Sequence, residues 1–470
     1  MTSLLDRLQR WLRATRPVDP EAAAVLAERW ASLPEHVKTP AQLLGRRIAG
    51  CEGTHGAFPA CDFACKPCYH SADANKVPVN GAHTVAEVER QMVYLRRRRG
   101  PSQHAQLIGG EVTLLSPADH AEALEAMRRN GRMPMSMTHG DFDYGYLERL
   151  VLQDNGSRRF EHVAFAAHID STMHGRTGFA HPTSEEELQP AREAFCAMFR
   201  RLRDEHGVRS HLAHNMTITA DNVDQIPDVI RASRRLGFRV FSFQPAAYVG
   251  NEQRWREGYR AMTDDDVWAR IEQGAGTRLP YRAVEVGDIR CNRTTWGVFV
   301  GDRYVPLLDD REPRDLALRD SLFTMLPGNL LFAPRWQQTV RVVRSVARAP
   351  RVLPQTLGWL RRMVGRAGGV RSLRHGVQSV TFIMHNFMDA RDVAPAWQLL
   401  QQGIESDEPR IKAAQERLQA CSYHMAHPES DELVPACVQH SVLDPMENRE
   451  LVTLLAAPRR RVFVSDRDAD

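Results

Sequence analysis

The sequence predicts an α/β protein: a sheet of parallel βα units, preceded by a helical extension and followed by a mixed α/β extension that carries cysteines. Three observations predict it. From about Thr84 to Gly250, apolar stretches of strand length alternate with amphipathic stretches of helix length. Glycines and capping residues punctuate those stretches, as repeated βα units require. Finally, 470 residues at 43% hydrophobic and 26% charged content suit one large globular domain plus an appendage. Such units build a parallel sheet with crossover helices, open or closed as a barrel, with chemistry at the carboxyl ends of the strands.

The chain divides into a helical extension at 1–50, the βα series at 51–250, a hairpin and arginine-rich segment at 251–388, and a cysteine-containing extension at 389–470. Leu4, Leu5, Leu8, Trp11 and Leu12 fall at helical spacing among charges. They predict an amphipathic helix docked on the body, with a membrane-surface anchor as the alternative. Thr84 and Glu87 read as a capping box opening a helix through Val88, Met92 and Leu95. His104 to Ile108 reads as a buried strand, and Ser116-Pro117 as cap and first residue of the helix after it. Strands follow at Met133 to Thr138, His162 to Ile169, Ser210 to Thr219 and Phe238 to Gln244. The helices between them run from Phe142 to Leu152, from Ser184 to before Gly207, and up to Gly237.

Beyond Gly250 the rhythm fails. A hairpin is expected at Trp296 to Leu308 around Gly301-Asp302. Residues 321–388 hold no Asp or Glu but many arginines, Arg335, Arg341, Arg344, Arg348, Arg351, Arg361 and Arg362 among them. Pro350 and Pro354 are expected to separate two basic amphipathic helices. A solvated helical pair covering the barrel mouth is the plainest reading; an anionic membrane surface comes next and nucleic acid last. The net charge of +4 favours no partner by itself.

The eight cysteines are Cys51, Cys61, Cys65, Cys68, Cys196, Cys291, Cys421 and Cys437. With no secretory leader and no apolar run long enough to span a bilayer, the expected location is the cytoplasm, where clustered cysteines suggest metal. Cys61-x3-Cys65-x2-Cys68 offers three thiolates from one loop. Three thiolates can hold three irons of a [4Fe–4S] cubane and leave the fourth open. A zinc site with His70 as fourth ligand is the alternative. Gly109-Gly110-Glu111 follows at the end of the next strand, where glycines admit close backbone approach and free carbonyls can accept from an ammonium. Cys196, on the apolar face of Phe195 to Phe199, reads as core.

The three-cysteine loop and the Gly-Gly-Glu strand resemble the radical S-adenosylmethionine (SAM) superfamily over roughly residues 55–250. That resemblance implies a partial (βα)6 barrel, a [4Fe–4S] cluster and SAM as cofactors, and an electron donor such as flavodoxin or ferredoxin. It implies reductive cleavage of SAM to a 5′-deoxyadenosyl radical that activates a C–H bond. Pro67 stands where the family carries an aromatic residue, and Tyr69 follows the last cysteine. By analogy, SAM contacts are expected at Gly109, Gly110, Glu111, Asp170, Asn215 and Gln244, with Ser171 and Thr217 as further candidates.

The carboxy-terminal stretch with His385-Asn386-Phe387-Met388-Asp389, Cys421, His424 and Cys437 resembles radical SAM enzymes of the tetraether lipid synthase type. This implies a second iron–sulfur cluster at Cys291, Cys421 and Cys437, completed by Cys51 or His424, and oxidoreductase or carbon–carbon or carbon–sulfur bond-forming chemistry on a lipid or acyl chain, with peripheral membrane contact. The sequence lacks that group's amino-terminal rubredoxin-like cysteines. A peptide or small-metabolite substrate, or a zinc-binding scaffold without SAM chemistry, are the competing readings.

Overall fold

The computed structural model describes residues 6, 11–12, 15–16, 18–100, 103–325 and 335–456. Leu4, Leu5 and Leu8 of the expected amino-terminal helix lie outside them; Trp11 and Leu12 are exposed. The strands are β1 (Cys51–Gly53), β2 (Gln103–Leu107), β3 (Arg132–Thr138), β4 (His162–His168), β5 (Arg209–Ile218), β6 (Phe238–Pro245), β7 (Asn292–Val300), β8 (Arg303–Pro306), β9 (Val377–His385), β10 (Tyr423–His427) and β11 (Glu432–Pro435). They form one sheet in the order β11-β10-β1-β2-β3-β4-β5-β6-β9-β7-β8. From β10 to β9 every pairing is parallel, and antiparallel pairs close each edge. The fold is therefore mixed α/β with a parallel-dominant partial barrel, as expected.

Alternation along each strand sorts side chains between two faces. Phe165, Phe241, Phe243 and Phe382 point outward and pack with Phe195, Cys196 and Phe199 on the helix Gln189–His206. Fully burying one such ring is worth about 1.5–3 kcal/mol. Cys196 is thus core, as its sequence context suggests. Met135, Ala166 and Ala213 line the opposite, inner face with Met137, Ala164 and Val240. The sheet's two ends approach one another: Asn292, at the start of β7, donates from Nδ2 to Ser422 Oγ beside β10 (3.1 Å).

Several local expectations need correction. The helix expected from Thr84 begins at Gly81 and is capped by Asn80, whose side chain accepts from the His83 amide. Thr84 instead donates through Oγ1 to Ala57 O (2.7 Å), tying the helix to the cysteine loop, and Glu87 pairs with Arg90. The helix expected from Phe142 is capped by Asp143 and starts at Tyr144. Pro350 alone separates the two basic helices, Arg335–Arg348 and Val352–Arg366. Pro354 sits in the first turn of the second, where no intrahelical N–H bond is lost. That helix does not cover the barrel mouth. Trp359 donates to Leu307 O, and Met363 packs with Val300 and Val305, so it flanks the β7–β8 hairpin. Asp315 holds Arg362 and Arg366 there.

Strands β1, β9, β10 and β11 are not among those the sequence predicts. Because β9 and β10 come from residues after 376, segments on both sides of position 388 contribute to the same sheet. Glu52 on β1 and Arg132 on β3 meet on the outer side as a fully buried ion pair at 2.9 Å, with Arg99 beside it.

Candidate functional site

Cys61, Cys65 and Cys68 lie on the loop that leaves β1. Two neighbouring segments clamp this loop through backbone bonds. From the strand β2 side, the Gly110 amide donates to Phe58 O (2.7 Å) and the Glu111 amide to Ala60 O (2.8 Å). From the β4 side, the Ala64 amide donates to His174 O (2.8 Å) and the Lys66 amide to Thr172 O (2.9 Å). The Cys61 amide donates to Asn75 Oδ1 (3.0 Å). Three segments distant in sequence thus fix where the thiols stand.

Gly109 and Gly110 are required by this approach. A Cβ on Gly110 would come within 1.9 Å of Ala60 O, and one on Gly109 within 2.7 Å of Phe58 O. Gly250, after β6, closes in from the other side: its φ is +77°, and a Cβ would meet the Tyr69 carbonyl carbon at 2.4 Å. Only glycine fits both the conformation and the gap.

Burial pushes the thiols upward: Cys61 to about 12, Cys65 well above its ordinary value, and Cys68 upward against the opposing pull of the His70 amide and Arg254. Each of Cys61 and Cys68 raises Cys65 further, so the three lie within electrostatic reach of one another. A metal would convert such thiols into thiolates. Among the described residues, the groups whose ligand atoms all lie within 4.8 Å contain no cysteine. Zinc, with bonds near 2.3 Å to each sulfur, needs thiolates about 3.8 Å apart. A cubane, whose thiolates ligate different irons, accepts a wider spacing. His70 Nε2, the suggested fourth zinc ligand, is hydrogen-bonded to the Gly109 carbonyl.

The expected SAM contacts divide into two groups. The carboxylates are committed to the scaffold. Glu111 accepts from the Thr113 amide and hydroxyl, from Thr138 Oγ1 and from the His139 amide. Asp170 accepts from the Thr172 amide and hydroxyl and, across the sheet, from the Thr217 amide. Ser171 donates its amide to Glu185, itself paired with buried Arg192. The Gly109 carbonyl is not free either, since Tyr69 OH also donates to it (3.2 Å). Tyr69 packs beside His440 (centroids 4.5 Å apart).

Asn215 and Gln244 belong to a second group, a polar row at the carboxyl ends of β4, β5 and β6. His168, Asn215 and Ser242 are in register across the three strands. Gln244 accepts from His168 Nε2 (2.9 Å) and donates to Ser242 Oγ (2.8 Å). Sequence reasoning missed His168 and Ser242, although both occupy inward positions of strands it recognised. It also missed Arg254, which acts on both Cys65 and Cys68.

Cys291, Cys421 and Cys437 converge elsewhere, where the two ends of the sheet meet, and Cys51 joins them. The Cys51 amide donates to Ser422 O (2.6 Å), and Arg417 Nε donates to Cys291 Sγ (3.1 Å). His424, the alternative fourth ligand, alternates with Tyr423 on β10 and faces Arg99 and Arg29. A cleft of about 610 Å³ among Trp268, Arg278, Tyr281 and Arg293 is lined by none of these cysteines.

No family model matches the chain, and no curated protein matches it. Among solved structures it is similar to Streptococcus suis SuiB, at 11% identity and a TM-score of 0.29, over 42% of this chain and 40% of that one. It is similar to anSMEcpe with bound S-adenosylmethionine (13%, 0.32; 47% of this chain, 58% of that one). It is similar too to TYW1 with a lysine–pyruvate adduct (10%, 0.30; 58% and 90%). The aligned part spans less than half the length of SuiB.

Proposed function

We propose that this chain is a radical SAM enzyme whose Cys61, Cys65 and Cys68 hold a [4Fe–4S] cluster. The observation that carries the reading is the interlock of the cysteine loop with Gly109-Gly110, in which Gly110 and Glu111 donate their amides to Phe58 and Ala60. A cubane on three thiolates leaves one iron for SAM and supplies the electron that breaks its sulfur–C5′ bond. The chain's own residues position and shield that chemistry. Gly110 and Gly250 let two strand ends press on the loop, and Arg254 sets a cation beside Cys65 and Cys68. Asn215 and Gln244 present amides at the strand ends, suited to hydrogen bonds with the polar parts of SAM. The electron comes from a small reductant of the flavodoxin or ferredoxin kind in a reducing, cytoplasmic setting.

The test is anaerobic reconstitution followed by dithionite and SAM. 5′-Deoxyadenosine is expected from the unaltered chain and none from Cys65→Ala; equal, cluster-independent amounts from both would refute the assignment.

A lipid or acyl substrate is the reading we favour for the radical's target. Its support is that Val343, Leu353, Leu357 and Leu360 are exposed on the two helices, where Arg348, Arg361 and the intervening Arg351 are exposed too. No described helix is long and apolar enough to cross a membrane. Each basic residue near an anionic surface adds about 1 kcal/mol. Co-sedimentation with phosphatidylserine vesicles at low salt, lost in an Arg348→Glu, Arg351→Glu, Arg361→Glu variant, is expected. Equal recovery with neutral phosphatidylcholine vesicles would count against the surface.

A further inference from the structure

Gly53 on β1 pairs with Met425 on β10, and just beyond them His55 and His427 come face to face. Their rings are buried and stack with centroids 4.0 Å apart. Glu447, on the helix Asp444–Ala456, closes the group. Its Oε2 lies 2.9 Å from His55 Nδ1, and its Oε1 lies 3.8 Å from His427 Nδ1. Glu429, which also pairs with Arg90, reaches the same His427 nitrogen at 3.2 Å from the exposed side. Both imidazoles therefore turn the same ring position, Nδ1, toward one carboxylate.

The opposite nitrogens are committed. His55 Nε2 meets Ala426 O at 2.7 Å, and a carbonyl only accepts, so that nitrogen carries a hydrogen. His427 Nε2 meets Gln439 Oε1 at 2.6 Å. The other end of that amide fixes its orientation, because it donates to Asp444 Oδ1 (2.8 Å) and Glu447 Oε2 (3.0 Å). Both of those are carboxylate oxygens, so His427 Nε2 is the donor to Gln439. In a neutral imidazole the remaining nitrogen presents a lone pair. Two lone pairs aimed at carboxylates call for a positive charge between them. Burial opposes charge on His55, yet the hydrogen bond with Glu447 outweighs it, so the place favours a cation. Two protons would set two imidazolium rings against each other in the stack, where buried like charges repel strongly. One divalent ion supplies the charge without that repulsion.

We infer that His55 Nδ1, His427 Nδ1 and the Glu447 carboxylate form a binding site for one divalent transition-metal ion. Ligands bonded at about 2.0–2.2 Å in a tetrahedron stand about 3.4 Å apart. The separations of 2.9 and 3.8 Å lie on either side of that value. An imidazole that gives one N–H to a carbonyl or amide oxygen, with its other nitrogen toward the metal, is the usual arrangement at such centres. Binding opens the stack, because each lone pair lies in the plane of its ring; a stacking contact is weak beside a metal–imidazole bond. Two imidazoles and a carboxylate suit zinc or ferrous iron rather than calcium or magnesium. A second compact group, Glu148, Glu205 and His206, lacks these features: Glu205 is exposed and pairs with Arg201. A metal here ties the helix Asp444–Ala456 to β1 and β10, just ahead of the three-cysteine loop. The inference does not depend on that loop.

The experiment uses the full chain carrying Cys61→Ala, Cys65→Ala and Cys68→Ala, so that the loop itself takes up no metal. The chain is equilibrated with zinc chloride, freed of loose metal by gel filtration, and its zinc counted. About one zinc per chain more is expected than in the same chain with His427→Ala or Glu447→Gln added. Adding His206→Ala should leave the count unchanged. Cobalt in place of zinc should give visible bands that His427→Ala removes. Equal zinc with and without His427→Ala, or cobalt bands that survive it, would overturn the inference. If the His427→Ala chain does not fold, nitrogen-15 resonance of the histidines in the parent decides. Zinc should shift Nδ1 of two rings whose Nε2 stays protonated. Two rings protonated at both nitrogens at neutral pH, and unmoved by zinc, would overturn it.

Discussion

His168 Nε2 donates to Gln244 Oε1 across 2.9 Å, although the strands that carry them are separated by β5. The bond passes over Asn215, which pairs with His168 on one side and Ser242 on the other. The three strand ends therefore present one connected polar rim, and a change at either end of it is felt by the whole.

If that rim receives SAM, His168→Leu should weaken SAM binding about tenfold, the worth of one buried hydrogen bond and the disorder its loss brings to Gln244. Equilibrium dialysis against labelled SAM measures this. Unchanged affinity in both His168→Leu and Gln244→Leu would place the ligand elsewhere.

Gly110→Ala should impair cluster loading more than folding. The added methyl meets Ala60 O at 1.9 Å, so the cysteine loop must shift while the sheet stays paired. Less than about a fifth of the wild-type iron at the three-cysteine site is expected, with far-ultraviolet circular dichroism preserved, because loss of one close approach displaces all three thiols together. Gly156→Ala is the comparison, since its φ is also positive, +77°, but nothing lies within 4 Å. Equal loading in the two variants would contradict this.

Glu52→Gln should destabilise the fold by about 3 kcal/mol, because Arg132 would be left fully buried without its carboxylate. Urea denaturation gives the value directly. A loss below about 1 kcal/mol would mean that Arg132 finds other acceptors, such as the Gly100 and Asn130 carbonyls it already reaches.

Acid should weaken the fold from near neutrality downward. Burial lowers His104 to about 4, with His211 adding to the effect, and lowers His120 to about 3. Unfolded, each would titrate near 6.5. Between those limits the unfolded chain binds more protons than the native one, so stability falls as pH drops below about 6.5, by up to about 1.4 kcal/mol per unit for each histidine. Urea midpoints at pH 7 and pH 5 test the slope, and His120→Gln should flatten it. A midpoint independent of pH would show that these rings are not held neutral.

The βα series and the cysteine loop were legible because their signals are local. Ser116-Pro117, Gly207 and the alternation of strand and helix each sit inside a short window, and each appears in the structure within a few residues of its expected place. The rest depends on distant partners. Three-residue β1 has too few positions to show a period, and it becomes a strand only because β2 and β10 flank it. Tyr423 to His427 shows itself as a strand only once its pairing with β1 is seen. Asn80 and Thr84 are both good caps, and only the Ala57 carbonyl decides between them. That Glu111 and Asp170 each gather several scaffold donors was not legible, because the threonines and the histidine amide that reach their oxygens come together only in three dimensions.

The pairing of β1 with β10 also imposes an order on the protein's manufacture. The three-cysteine loop is complete once residue 68 has been translated, and its clamps once the chain reaches 174. Cys51, made before any of them, finds Arg99 for its carbonyl early but must wait for Ser422 before its amide is paired. Contacts so far apart in sequence close slowly and late. During synthesis the edge of β1 that faces β10 therefore stays open long after β2 has covered the other edge and the neighbouring loop is ready.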